Sequence, residues 1–223
     1  MKSHFEIELE KLKNIIIKLG ALAENQVGEA IKTVLSEPTV EGKEIKKAES
    51  KIDKLDVKID EICQNIFALQ QPVASDLRFI MSAMQISNEM ERIGDLAISI
   101  IKKSKSNKDK QDLITRLNVA EIAKQIEIIL AKTNECFIKR EQSTIGEILI
   151  LNKAIKNDCD NKIHEVVNAM KINSKAVVYG TNLVMIIKHL ERISEHCTNI
   201  VEQIYFMITA KIIKHENIRD LNI

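Results

Sequence analysis

The sequence predicts an all-α fold, a tandem pair of three-helix bundles. Three observations lead there. Apolar residues recur at helical spacing over long segments. Six glycines and two prolines in 223 residues are too few for the turns of a β-sandwich or barrel. An acidic motif, Glu91-Arg92-Ile93-Gly94-Asp95, returns as Glu191-Arg192-Ile193-Ser194-Glu195, 100 residues later.

The first helix is expected over residues 5–35, where Phe5, Leu9, Leu12, Ile16, Leu19 and Leu22 share a face. Ser36-Glu37-Pro38 ends it, because a proline disfavours helix at the residue before it. The second helix covers 42–69 and stops at Pro72. The third covers 75–103, with Ser75 read as an N-cap and Asp76 in the first turn. The polar run 102–110 has no apolar period and reads as a linker. Three further helices are expected over 113–139, 144–170 and 176–214. The predicted domains are therefore 1–104 and 111–216, joined by 105–110. Met81, Met84, Met90 and Met185 fall at core spacing and are expected to fill gaps.

Composition removes other classes. Hydrophobic residues make up 45% of the chain, enough for a sizeable core. Lys and Arg number 33 against 32 Asp and Glu, spread evenly over both halves, so neither half suits a nucleic-acid backbone. No apolar run approaches the roughly 18 residues of a spanning helix, so no direct membrane insertion is expected. Glu6, Glu8 and Glu10 do not fit a signal peptide. Cys63, Cys136, Cys159 and Cys197 form no CxxC pair and read as reduced thiols of a cytoplasmic protein. Gly-rich phosphate loops and nucleophile elbows are missing, so the chain is not expected to be an enzyme.

The carboxylates carry the functional signal. Glu91 and Asp95 are one helical turn apart on one face. Leu77, Ile80, Met84 and Ile98 fall within about 40° of Glu91, so the acids continue an otherwise apolar line. Glu191 and Glu195 continue the line of Val177 and Val184. Glu49 and Asp53 repeat the spacing one hairpin away, and Asp158-Cys159-Asp160 precedes the second motif. Two carboxylate pairs on adjacent helices need a cation. A hard metal ion or small cluster supplies one reading. Surface ion pairs with Arg92, Arg192 or nearby lysines supply the other. The linker lysines read as solvated charge, and His196 as an ion-pair partner of the acids ahead of a metal ligand or a donor to the ligating carboxylates.

Beyond these motifs the chain resembles the PhoU family of phosphate-transport regulators. The resemblance runs through the stretch from Gln70-Gln71-Pro72 to Phe79-Ile80, then Glu91-Arg92-Ile93-Gly94-Asp95. It continues in the second repeat with Leu190-Glu191-Arg192-Ile193-Ser194-Glu195-His196-Cys197 and on to Glu202. The resemblance implies two three-helix bundles carrying metal clusters, of iron first and zinc or manganese next. By position, the first cluster would use Glu49, Asp53, Glu91 and Asp95, and the second Asp160, Glu191 and Glu195. It also implies a homodimer that represses phosphate-starvation signalling. The implied partners are the ATPase subunit of the phosphate ABC transporter and a phosphate-sensing histidine kinase. This chain departs from the family pattern at three places. Lys156 stands where an acid is usual, Glu195 replaces Asp, and Leu96 replaces a His. The second site is thus a carboxylate short, unless Asp158 substitutes through a different helix phase.

Two rivals remain. A metal-free structural adaptor needs only the bundles. A di-iron carboxylate enzyme needs Glu-x-x-His motifs. Met1, Asn161, Ile186, Ile193 and Ile212 stand three residues before the five histidines, so that enzyme lacks its ligands.

Overall fold

A computed structural model describes residues 3–35, 42–104 and 110–213. Its α-helices are α1 (His4–Leu35), α2 (Gly42–Gln70), α3 (Ala74–Ser104), α4 (Lys110–Arg116), α5 (Val119–Lys139), α6 (Gln142–Ile172) and α7 (Val177–Thr209). A 3-10 turn, Ser174–Ala176, leads into α7. The described residues contain no strand. The chain opens with a capping box: the Ser3 hydroxyl accepts from the Glu6 N–H, and the Glu6 carboxylate accepts from the Ser3 N–H.

Three helix boundaries differ from expectation. The helix expected over 113–139 is two pieces. Asn118 sits in the left-handed region at φ 48°, which Asn tolerates better than most residues. Its side chain then bonds Glu121 across the first turn of α5 (3.0 Å). Leu113, Ile114, Leu117, Val119 and Ile122 are all buried, so the apolar pattern runs straight through the break. Secondly, α3 starts at Ala74, and Ser75 lies inside the first turn. The Val73 carbonyl, rather than a serine hydroxyl, takes the first N–H, from Asp76 (3.1 Å). Lastly, α7 ends at Thr209 rather than near 214. Ala210 turns left-handed at φ 61° and its N–H returns to the Phe206 carbonyl (2.9 Å). The expected stop at 36–38 and residues 105–109 of the expected linker lie outside the described residues.

Two three-helix groups pack together, α1–α2–α3 and α5–α6–α7, and their most extensive contact is α3 on α7. That pair is antiparallel: Ser82 bonds the Gln203 carbonyl (3.3 Å), and Glu89 meets His196 seven residues further along. A second contact joins α1 to α5. There Asn134 donates to the Gly20 carbonyl (3.2 Å) and to Glu24 (2.8 Å). Gly20 permits this approach, since a Cβ there would lie 2.5 Å from the Asn134 side-chain oxygen. One continuous apolar cluster runs through both groups. Met90 is part of it and Met84 packs against it, whereas Met81 and Met185 are exposed, contrary to their expected core role. Among the described residues no helix is long and apolar enough to cross a membrane.

Ile193 is fully buried in this shared core. Ile193→Ala should cost about 2–5 kcal/mol of unfolding free energy, read from urea denaturation followed by circular dichroism. A cost under about 1 kcal/mol would mean that the core collapses around the gap.

Candidate functional site

In the first bundle, α2 and α3 are antiparallel with a register set by two bonds. The Cys63 thiol donates to the Ile80 carbonyl (3.9 Å), and the Ser87 hydroxyl donates to Asp56 (2.6 Å). This register brings Asp53 opposite Glu91 and sets Glu49 level with Asp95. Glu91 and Glu49 are half-buried, while Asp53 and Asp95 are exposed. Burial first, and Asp95 next, hold the Glu91 carboxyl above its ordinary range. Arg92 opposes the rise, and Asp56 and Asp53 add to it. The exposed Arg92 reaches Glu91 only at 3.7 Å.

Two residues of this stripe went unread in the sequence. Asp56 and Asp60 continue Glu49 and Asp53 along α2 at alternating spacings of four and three, which is one helix face. Asp60 is also raised, by burial and then by Asp56, and its Oδ1 is buried without a hydrogen-bond partner. Behind the stripe lies Gln26 of α1, only 5% exposed, with both amide atoms buried and unpartnered. A Cβ on Gly94 would lie 3.3 Å from its oxygen and 3.0 Å from Ile52 Cδ1. An internal glutamine is silent in a hydropathy pattern, which is why it was missed.

The second bundle is built differently. Glu191 is buried, and Lys188 of the preceding turn lies 2.6 Å from it and 3.3 Å from Asp160. The hydrogen bond to Glu191 raises the Lys188 pKa, burial opposes that, and Asp160 adds to it. Lys156 is exposed, and the positive charge set against Glu191 is Lys188, itself 47% exposed. The Ser194 hydroxyl stands 2.8 Å from Asn152 Oδ1 and 2.7 Å from the Glu191 carbonyl. Asp158 accepts from Gln125 of α5 (2.8 Å), and Glu195 is exposed. His196 faces Glu89 of α3 at 2.5 Å, and Asn199 donates to the same oxygen. Burial pushes the thiols of Cys159 and Cys197 up to about 12, so both stay protonated and offer no thiolate.

Among the described residues, no three His, Cys, Asp or Glu side chains stand close enough to hold a metal ion. The chemistry of the two sites nevertheless differs. The first offers oxygen donors alone, Glu91 among them with its carboxyl raised, and oxygen is the donor type a hard cation takes. The second does not fit, because the Lys188 ammonium already spans Asp160 and Glu191.

The raised Glu91 pKa sets a pH signature. The folded state favours the protonated carboxyl, so the contribution of Glu91 to stability is present in full below its ordinary pKa and is lost as pH rises through the raised pKa. Glu91→Gln in chelator should therefore melt higher than the parent at pH 7, with a smaller gain at pH 4. Equal gains at the two pH values, by thermal circular dichroism, would contradict this.

A family model described as the PhoU domain matches residues 16–104 and again 119–204. A Pseudomonas aeruginosa protein, a phosphate-specific transport system accessory protein PhoU homolog, is 24% identical over 216 residues. That match spans 96% of this chain and 89% of the relative. The crystal structure of PhoU from Pseudomonas aeruginosa has the same fold, with TM-score 0.84 and 24% identity, over 93% of this chain and 100% of its own. The phosphate transport system regulatory protein PhoU from Streptococcus pneumoniae also has TM-score 0.84, with 25% identity, over 94% of this chain and 99% of its own. With the domain present in both halves, the chain belongs to the PhoU family.

Proposed function

We propose that this protein regulates phosphate uptake and phosphate-starvation signalling by contact rather than by catalysis. The observation that carries the reading is the PhoU domain in both halves of one continuous fold. A relative spanning nearly the whole chain is named for the phosphate-specific transport system. The partners in this reading are the ATPase subunit of the phosphate ABC transporter and a phosphate-sensing histidine kinase. They are met in the cytoplasm by a homodimer.

The contact is metal-dependent in this reading, through the first bundle. Asp53, Asp56, Glu91 and Asp95, with Glu49 level with Asp95, are the oxygen donors of α2 and α3. A bound ion of iron, manganese or zinc supplies the positive charge these carboxylates lack. A metal-free adaptor is the second reading, and one observation favours it: in the other bundle Lys188 already neutralises Asp160 and Glu191.

Replacing Glu91 and Asp95 with Ala should lower metal in the desalted protein while helix content survives. Equal metal by elemental analysis would favour the metal-free reading. Deleting the gene in its host should leave phosphate-starvation genes on in phosphate-rich medium, and the intact gene should restore repression. Normal repression in the deletion strain, with neither partner recovered in a pull-down, would assign the protein another client.

A further inference from the structure

At the α6–α7 turn the second bundle has an open cleft, and a helix break helps to form it. At the 100-residue offset of the acidic motifs, residues 110–118 correspond to 10–18, through which α1 runs unbroken. In the second repeat Asn118, left-handed at φ 48°, turns α4 off the line of α5. Leu113 and Arg116 of α4 then line one side of a cleft of about 450 Å³, with Ile172, Asn173 and Tyr179 of the turn on the other. The turn itself is tightly built. A Cβ on Gly180 would lie 2.7 Å from Met170, so α6 and α7 close against each other there. The Asn173 side chain accepts from the Lys175 N–H (3.1 Å).

This turn is apolar and positive at once. Ile172 is 88% exposed, and Val177 and Val178 are exposed beside it. No acid occurs from 166 to 190, a stretch that carries Lys171, Lys175 and Lys188. Lys188 is engaged with Glu191 and Asp160. The acids on either side are engaged as well: Glu165 pairs with Lys162 (3.2 Å), and Glu121 accepts from Asn118. Arg116, Lys171 and Lys175 are exposed, and among the described residues none of the three has an ion pair. The α2–α3 turn of the first bundle exposes apolar side chains too, Val73 at 70%, but there one acid, Asp76, balances one base, Arg78, over 67–88. Apolar exposure is thus common to both turns, and the excess of positive charge belongs to the second.

We propose that the cleft between α4 and the α6–α7 turn is a docking site for an acidic segment of a partner protein. An aliphatic or aromatic side chain of the segment enters between Leu113, Ile172 and Tyr179, and flanking carboxylates meet Arg116, Lys171 and Lys175. The charge selects the chemistry of the occupant, since a carboxylate gains most from a guanidinium that has no other partner. The concave shape selects a polypeptide over a membrane surface. A flat bilayer would touch the protruding Ile172 and Val178 but not the lining of the cleft, whereas a side chain fills it. This rests on the reading of a protein that acts by contact, and it names one contact surface and its preferred chemistry.

The test pans a phage library of random heptapeptides on the full chain. Enriched sequences should place Leu, Ile or Phe beside Asp or Glu. A dye-labelled synthetic copy of the most enriched peptide should bind in fluorescence anisotropy, more weakly as salt rises. Ile172→Asp and Arg116→Glu should each weaken it roughly 10-fold, and Val73→Asp at the other turn should leave it unchanged. All three positions are exposed, so melting should match the parent. Enriched peptides without acids, or full affinity in both Ile172→Asp and Arg116→Glu, would overturn the proposal and leave the regulator reading to the gene-deletion test above. Parent binding to phosphatidylcholine–phosphatidylglycerol vesicles that Ile172→Asp abolishes, without peptide enrichment, would assign the turn to an anionic membrane instead. A parent that sediments as a dimer beside a monomeric Ile172→Asp would assign it to a second copy of the chain.

Discussion

Half-buried carboxylates of like charge cannot share a helix groove without compensation, and this constraint shapes both repeats. Glu91 is the focus in the first. Burial already disfavours its charge, and Asp95, Asp56 and Asp53 disfavour it further. Among the described residues the cation paired with it is Arg92, exposed and at 3.7 Å, where solvent screening leaves little attraction. The second repeat meets the same constraint from within. Lys188 places an ammonium 2.6 Å from the buried Glu191 and within reach of Asp160. Breaking such a pair is costly because a buried charge would be left alone. One fold therefore contains an acidic groove balanced by its own side chain and another that is not.

The scaffold explains how an unfavourable arrangement is kept in place. Ile52 and Ile59 on α2 and Ile80, Ile86, Met90 and Ile93 on α3 are buried beside the acids. Their burial holds the two helices together whatever the charges do, since apolar contact depends on area and not on sign. Ser87 to Asp56 and Cys63 to Ile80 then set the register. The α3–α7 contact extends the same core into the second repeat.

The helices were legible in the sequence because an amphipathic period of this length has few competing solutions, and the repeated motif announced the duplication. The break at Asn118 was not legible, since the buried residues on its two sides keep one apolar rhythm and only a local left-handed turn separates α4 from α5. The first carboxylate site was half legible. Glu91 and Asp95 stood out against an apolar line, whereas Asp56 and Asp60 were masked by the lysines interleaved with them on α2. The second site was read with its positive charge at Lys156 of α6. Lys188 lies on α7 three residues before Glu191, a spacing open to reading along that helix, whereas its contact with Asp160 of α6 is set by interhelix register, which spacing within one helix does not report. Gln26 was invisible for a related reason: a polar residue one turn from apolar neighbours reads as surface until packing shows that it is enclosed.

The divergence of the two repeats has a physical consequence for the whole molecule. Asn88 in the first repeat stands where Lys188 stands in the second, at the same 100-residue offset as the acidic motifs. That difference leaves the second groove with an ammonium 2.6 Å from its buried glutamate and the first with the exposed Arg92 at 3.7 Å from Glu91. A tethered ammonium is present at every ion concentration, so the second bundle has a constant charge balance. The two are joined close to both grooves: Glu89, two residues from Glu91, meets His196, the neighbour of Glu195, across the α3–α7 contact. Close-packed helices shift as units, because the interior has no slack to absorb a local displacement. The α3–α7 contact therefore links the helices that carry both acidic motifs through Glu89 and His196.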